Sequence, residues 1–408
     1  MAKHENKTGG LGRTLGQYPV LVLFFVLLFG MFAVDLITPD KARSEVENTL
    51  LKQRPTLNLA GKTSLGAVID AADTYLENYG EYVKAQVAGR DGWITLQAGV
   101  ETLALRKTQS GGMLLGKTGR MYARDYSLTE TEQTRLPLNT KAVSNLASRW
   151  PGKVTVMLVP SASTVYPQDV PAGAPLLDEN AMLDEAFAAF AAAGAATLDL
   201  RDTFAQHSGE YLYYNTDHHW TTNGAYYAYE DYCAAQGLIP FDRAAHEAVG
   251  VLDFLGTSWA KARTPFAATD IITYYKLDNP MQLYRVTVGG TAVTGKDMQP
   301  DGEPVGLYNA AQWGQYDKYA AFLHGNNGFS RITGDGTGKV LVVKDSYANS
   351  FVPYLTANYA QIDVVDFRNF TSGLDGIIAE NDYDQVLVLY SFASFRGDIY
   401  LSRAGVAG

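Results

Sequence analysis

Five short apolar runs punctuate the chain: VTVMLV (Val154–Val159), ATLDL (Ala196–Leu200), KVLVVKD (Lys339–Asp345), QIDVVDF (Gln361–Phe367) and QVLVLYS (Gln385–Ser391). Continuous β-branched runs of this length, most of them separated by helix-like segments such as Asn180–Ala193, fit strands buried on both faces of a parallel sheet. The pattern predicts an α/β domain. In such sheets ligands bind beyond the carboxyl ends of the strands, so polar residues directly after the runs are the ones to inspect. Upstream, Ile69–Val87 has helical periodicity, and Met113–Ala123 reads as two strand pieces around a Lys-Thr-Gly turn. Residues 250–335 interrupt the rhythm with many Gly, Asn, Asp and Tyr. They predict an excursion over that edge, either a lid or substrate wall or plain surface loops.

The strongest apolar signal lies near the start. YPVLVLFFVLLFGMFAVDLIT (18–38) approaches the roughly 20 residues that a bilayer span requires. Lys3, Lys7 and Arg13 precede it, so the positive-inside rule leaves residues 1–17 in the cytoplasm and the rest outside. A cleaved signal peptide would have a shorter apolar region and a small-residue cleavage site, and FAVDLITPDK supplies none. The expectation is an uncleaved, single-pass anchor at the cell membrane. Residues 39–60 are polar with uneven apolar spacing and read as a juxtamembrane helix or stalk.

Composition narrows the function. With 47% hydrophobic and 12% aromatic residues among 408, the chain buries a substantial core. A net charge of −10 and the lack of a dense basic run argue against nucleic acid as a partner. Cys233 is the single cysteine, so no intramolecular disulfide forms.

Two places carry candidate chemistry. The first is YYNTDHHWT (213–221), just before a segment that Thr222 or Asn223 can cap and Gly237 can end. Residues two apart in an extended approach share a side, so Asp217 is placed to orient His219, with His218 facing the other way. The second is VVKDSYANSF (342–351), where Ser346 follows a strand and opens a turn whose amides can receive an oxyanion. Ser346, His219 and Asp217 are thus the types of a nucleophile, its base and the group that orients the base. FLHGNNGF (322–329) adds Gly325, where backbone can approach closely, and Asn326, a side-chain amide donor. His218 and Tyr347 are candidate substrate-facing neighbours, and Trp220 is expected to pack behind the site. An Asp-His-His string could bind zinc, but it lacks helical i, i+4 spacing and a second His/Cys cluster, so neither metal nor other cofactor is expected. Taken alone, a serine after a strand such as Ser346 is usually just a turn or cap residue.

TDHHWTTNGAYYAY together with VLVVKDSYANSFVPYL resembles the DHHW-motif family of bacteria, similar in turn to the alginate O-acetylation proteins AlgJ and AlgX. SEVENTLLKQRP, LLGKTGRMY, VPSASTVYP, FLGTSWAKA, HGNNGFSRI and DVVDFRNF look like further landmarks in the expected order. The resemblance implies a three-layer α/β/α, SGNH-hydrolase-like catalytic domain over residues 61–408, with its histidine before its serine. It places the aspartate and histidine of the family's D-x-H on Asp217 and His219, and the serine of the D-S pair on Ser346. It implies acetyl transfer through an acetyl-serine to an exported polysaccharide, beside a membrane-bound O-acyltransferase that supplies acetyl groups. An acetylesterase using the same residues and a non-catalytic glycan-binding scaffold are the alternatives.

Overall fold

A computed structural model describes residues 18–47 and 49–405; the expected cytoplasmic stretch 1–17 lies outside them. The chain divides into two compact units, one up to Gln97 and one from Ala98 onward. In the first, helix α1 (Pro19–Ile37) is long and apolar enough to cross a membrane, and none of its residues is buried. Its proline sits in the first turn, where a missing N–H costs nothing. Arg43–Ser44 and Thr49–Leu50 pair as a short antiparallel ribbon. Helix α2 (Leu65–Gln86), which covers most of the periodic segment, begins where the Ser64 side chain accepts the Ala67 amide.

The second unit is built on eight strands: β1 (Val154–Val159), β2 (Ala196–Asp199), β3 (Met281–Arg285), β4 (Gln299–Pro300), β5 (Phe329–Thr333), β6 (Lys339–Lys344), β7 (Gln361–Val365) and β8 (Gln385–Ser391). They form one mixed, mostly parallel sheet in the order β4-β3-β5-β7-β6-β8-β1-β2. The five apolar runs are the contiguous parallel part, β7-β6-β8-β1-β2. β2 departs from expectation: it closes the sheet at its edge and none of its four residues is buried, which suits the polar Asp199. The excursion departs as well, because β3, β4 and β5 come from it and extend the sheet antiparallel. Gly- and Asn-rich turns between short strands conceal such pieces from a periodicity search.

Strand side chains alternate, so each buried strand feeds two apolar layers. On one face Met157, Val340, Val342, Leu387 and Leu389 share a cluster with Ala225, Tyr229 and Cys233 of helix α5 (Thr222–Gln236). On the other, Val156, Leu158, Leu341, Val343 and Val388 share one with three further helices. These are α3 (Glu130–Arg149) through Val143 and Leu146, α4 (Glu179–Ala192) through Leu183 and Phe190, and α6 (Phe392–Gly397) through Phe395. A capping box between Thr129 and Glu132 starts α3.

Val159, Lys344, Val365 and Ser391 end the parallel strands at one edge. Antiparallel β5 starts there, with Phe329 opposite Val365. Segments 160–161, 345–346, 366 and 326–328 therefore share one rim. Leu387 is fully buried in the strand next to β6; Leu387→Ala should cost about 2–5 kcal/mol, read as a lower denaturation midpoint of the full chain in detergent.

Candidate active site

The loop 213–221 is closed by a Tyr213↔Trp220 bridge and by the Thr221 amide, which donates to Leu212 O at 2.8 Å. Thr221, one residue ahead of the expected cap, accepts the Gly224 amide and starts α5, which Gly237 ends at φ +67°. Inside the loop the chain is bent rather than extended. The Asp217 carboxylate accepts the His219 backbone N–H at 3.0 Å, an Asx turn, and the same Oδ1 accepts His219 Nδ1–H at 2.5 Å. The expected pairing of Asp217 with His219 is present, but the turn produces it.

A carboxylate has only lone pairs to offer, so His219 Nδ1 carries the proton and Nε2 is left as an acceptor. Nε2 lies 2.7 Å from Ser346 Oγ. Ser346, half-buried, begins a 3₁₀ turn (Ser346–Ser350) directly after β6. Asp345 caps that turn by accepting the Tyr347 amide at 2.9 Å, and its other oxygen accepts the Ser391 N–H and hydroxyl, tying the end of β6 to the end of β8. The Ser346 amide at the head of the turn has no partner within it.

Asp217 and His219 are both buried. Asp217 Oδ2 accepts from the Thr257 amide at 2.7 Å and the Thr257 hydroxyl at 3.0 Å. Burial alone would raise the Asp217 pKa. The charges of His218 and His219 and the bonds from His219 more than reverse this, and hold it well below the usual carboxylate value. Gly256 is what lets the Thr257 segment approach, since a Cβ there would lie 2.2 Å from Asp217 Cβ. One layer further out, buried Asp270 accepts the amides of Asn215 at 3.0 Å and Thr216 at 2.7 Å and so pins the loop.

His218 does not face away. Its ring centroid lies 3.9 Å from that of His219, Nδ1 contacts Thr257 Oγ1 at 2.6 Å, and half of its side chain is exposed. Loss of water around the ring and the adjacent His219 lower its pKa against the pull of Asp217. Tyr347 is buried; its hydroxyl donates to His218 O, and its carbonyl accepts Trp220 Nε1–H at 2.9 Å. Trp220, fully buried, packs behind the turn as expected. The Gly325 amide is donated to Phe322 O at 3.0 Å, so Gly325 offers room rather than a donor. Asn326 is exposed on the rim. Of the other histidines, His207 bonds Glu210, His246 bonds Asp242 O and His324 bonds Gly306 O.

Tyr319 escaped the sequence reading. Its ring lies flat on His219, with centroids 3.8 Å apart and planes 14° off parallel. Its hydroxyl donates to Ser346 O at 3.1 Å and meets Ser350 Oγ at 3.1 Å. Burial, with Asp217 and Asp345 nearby, raises its pKa, so it remains a neutral donor. One tyrosine among 26 carries no local signal; Thr257 and Asp270 likewise meet the loop only through the fold. Asp217, His218 and His219 offer ligand atoms within 4.8 Å of one another. Asp217 and His219 have those atoms engaged with each other, Thr257 and Ser346, so a cation would have to break this line.

Because the folded-state pKa of Asp217 is depressed, its contribution to stability is complete above the unfolded value of about 4 and is lost as pH falls through the acid range. Denaturant titrations should show the wild type losing stability below pH 4 more steeply than Asp217→Asn; parallel curves would contradict the assignment. Gly256→Ala should displace Asp217 and shift the His219 imidazole resonances with little change at His246.

The DHHW protein family model matches residues 143–365, more than half of the chain, from the last turns of α3 through β7. No curated protein sequence matches the chain. Among solved structures, a DHHW family protein from Eubacterium siraeum DSM 15702 is similar at 20% identity, over 72% of this chain and 95% of that one, with a TM-score of 0.57. Bacillus cereus PatB1 is similar at 17% identity, over 71% and 98%, with a TM-score of 0.52. PatB1 with a sulfonyl adduct gives 18% identity, 71% and 97% coverage, and a TM-score of 0.54. With its motif residues assembled at the carboxyl edge of a mostly parallel sheet, this chain belongs to the DHHW protein family.

Proposed function

We propose that the chain is a membrane-anchored, extracytoplasmic O-acetyltransferase that acts on an exported polysaccharide through an acetyl-serine, on an SGNH-hydrolase-like three-layer domain. The observation that carries this reading is the continuous line Asp217 Oδ1, His219 Nδ1, His219 Nε2, Ser346 Oγ, at 2.5 and 2.7 Å. Nucleophile, base and orienting carboxylate need that order and those separations.

Ser346 Oγ attacks the carbonyl carbon of an acetyl ester while His219 Nε2 takes its proton. The oxyanion forms against the Ser346 amide and the Asn326 side chain. As the C–O bond to the leaving alcohol breaks, His219 returns the proton to that alcohol. A sugar hydroxyl then loses its proton to His219, attacks the acetyl-serine and regenerates Ser346. His218 and Tyr347 shape the acceptor side, His218 through its exposed ring and Tyr347 by holding the loop. Helix α1 would serve as an uncleaved anchor, with residues 39–60 as a stalk, and keep the domain near a membrane-bound O-acyltransferase that supplies acetyl groups.

Incubation of the full chain in micelles with 4-nitrophenyl acetate should add one acetyl group at Ser346, seen by peptide mass spectrometry. Ser346→Ala should add none, and Asp217→Asn should slow acylation by about 10⁴-fold. An oligosaccharide acceptor should receive the acetyl group; free acetate alone would make the protein an esterase, and absence of acyl-serine would leave a glycan-binding scaffold.

A further inference from the structure

Behind the nucleophile turn lies a buried cation that these steps do not use. Lys344, the last residue of β6, is 1% exposed. Its Nζ donates to Asp366 Oδ2 at 3.1 Å and to Asn326 Oδ1 at 3.0 Å. Asp366, just past β7, is itself held by Arg368, whose Nε donates to its Oδ1 at 2.8 Å. Asn326 Oδ1 also accepts Asn349 Nδ2–H at 3.2 Å. Asn349 is buried and its own oxygen has no partner among the described residues, so its amide is turned toward Asn326 at the expense of that oxygen.

An ammonium and an amide N–H have no lone pairs to offer, so the atom of Asn326 that meets both is its oxygen. The amide cannot flip without bringing its NH₂ against the Lys344 ammonium. Its Nδ2 hydrogens therefore face away from the cation on an exposed residue. Asn349 lies three residues after Ser346 on the 3₁₀ turn, where side chains i and i+3 eclipse, so the contact with Asn349 places Asn326 along the face of that turn. The backbone is also held against its preference. Leu323 and His324 have φ of +52° and +56° and Gly325 +86°, and the Asn326 carbonyl accepts Asn369 Nδ2–H at 2.7 Å.

We propose that Lys344 is a positioning residue: it locks the Asn326 side-chain amide with its NH₂ outward, making Asn326 the second donor, beside the Ser346 amide, for the developing oxyanion. This rests on the acyl-transfer reading above. Lys344 touches no reacting atom; it decides which end of an amide the substrate meets. The loop and the strand end are thus coupled through one hydrogen bond, which accounts for a lysine directly before the Asp-Ser pair.

Pre-steady-state acylation of the full chain in micelles by 4-nitrophenyl acetate tests it. Asn326→Ala should slow acylation about 10²-fold and Lys344→Met about 10–100-fold, both with KM kept, and the double variant should be no slower than the slower single one. Asn326→Asp keeps a partner for Lys344 but presents oxygen instead of NH₂, and should be slower than Asn326→Ala. Wild-type rates in Lys344→Met or Asn326→Asp, or multiplicative losses in the double variant, would overturn the proposal. Should the wild type form no acyl-serine, the acyl-transfer reading fails, and the orientation is read from the side-chain NH₂ signals of ¹⁵N-asparagine-labelled chain. Lys344→Met should then shift the Asn326 pair, and unchanged signals would refute the lock.

Discussion

A carboxylate withdrawn from water must be repaid with hydrogen bonds, and Asp217 receives them from two parts of the chain. His219 donates twice from within the loop, and Thr257 donates twice from 40 residues downstream. Such charge-assisted bonds are stronger than neutral ones and are directional. They fix the imidazole's tautomer and its plane together, and that decides whether Nε2 can take a proton from Ser346. Asp270 holds the backbone of the same loop, and Gly256 clears the space for Thr257. The site thus rests on a carboxylate that supports a carboxylate.

The serine side is anchored independently. Asp345 joins the ends of β6 and β8, while Lys344 joins β6 to Asp366 and to the Asn326 loop. Burial pulls the two neighbours in opposite directions, raising the pKa of Asp345 and lowering that of Lys344, as expected where charge is removed from water. Tyr319 bridges the halves, with its face on His219 and its hydroxyl on the Ser346 carbonyl. Each group of the line is therefore held by at least one residue outside it.

The sheet explains why these groups meet. Parallel strands all end on one side, and the antiparallel β5 begins where they end. A loop leaving a strand and a loop entering one are thereby brought to a common rim, although the two strands β5 and β6, which do not pair with each other, lie between Asn326 and Ser346 in the chain. Side chains from both ends of the domain can then be arranged without long unsupported loops.

The amino-acid sequence alone determined the apolar helix near the amino terminus and the five parallel strands, and it singled out Asp217, His219 and Ser346, which the fold brings into contact. Those rest on local signals, namely unbroken β-branched runs, a long apolar stretch and residue types at short spacing. It did not determine the bend that pairs Asp217 with His219, the lean of His218 toward its neighbour, or the three strands that 250–335 adds antiparallel to the main sheet. Nor did it reveal Tyr319, Thr257, Asp270 or the role of Lys344. Each of these acts through a partner tens of residues away or through a turn whose geometry is set by that partner. Hydrogen-bond direction and ring stacking exist only once the chain is folded, so only the tertiary structure could decide them.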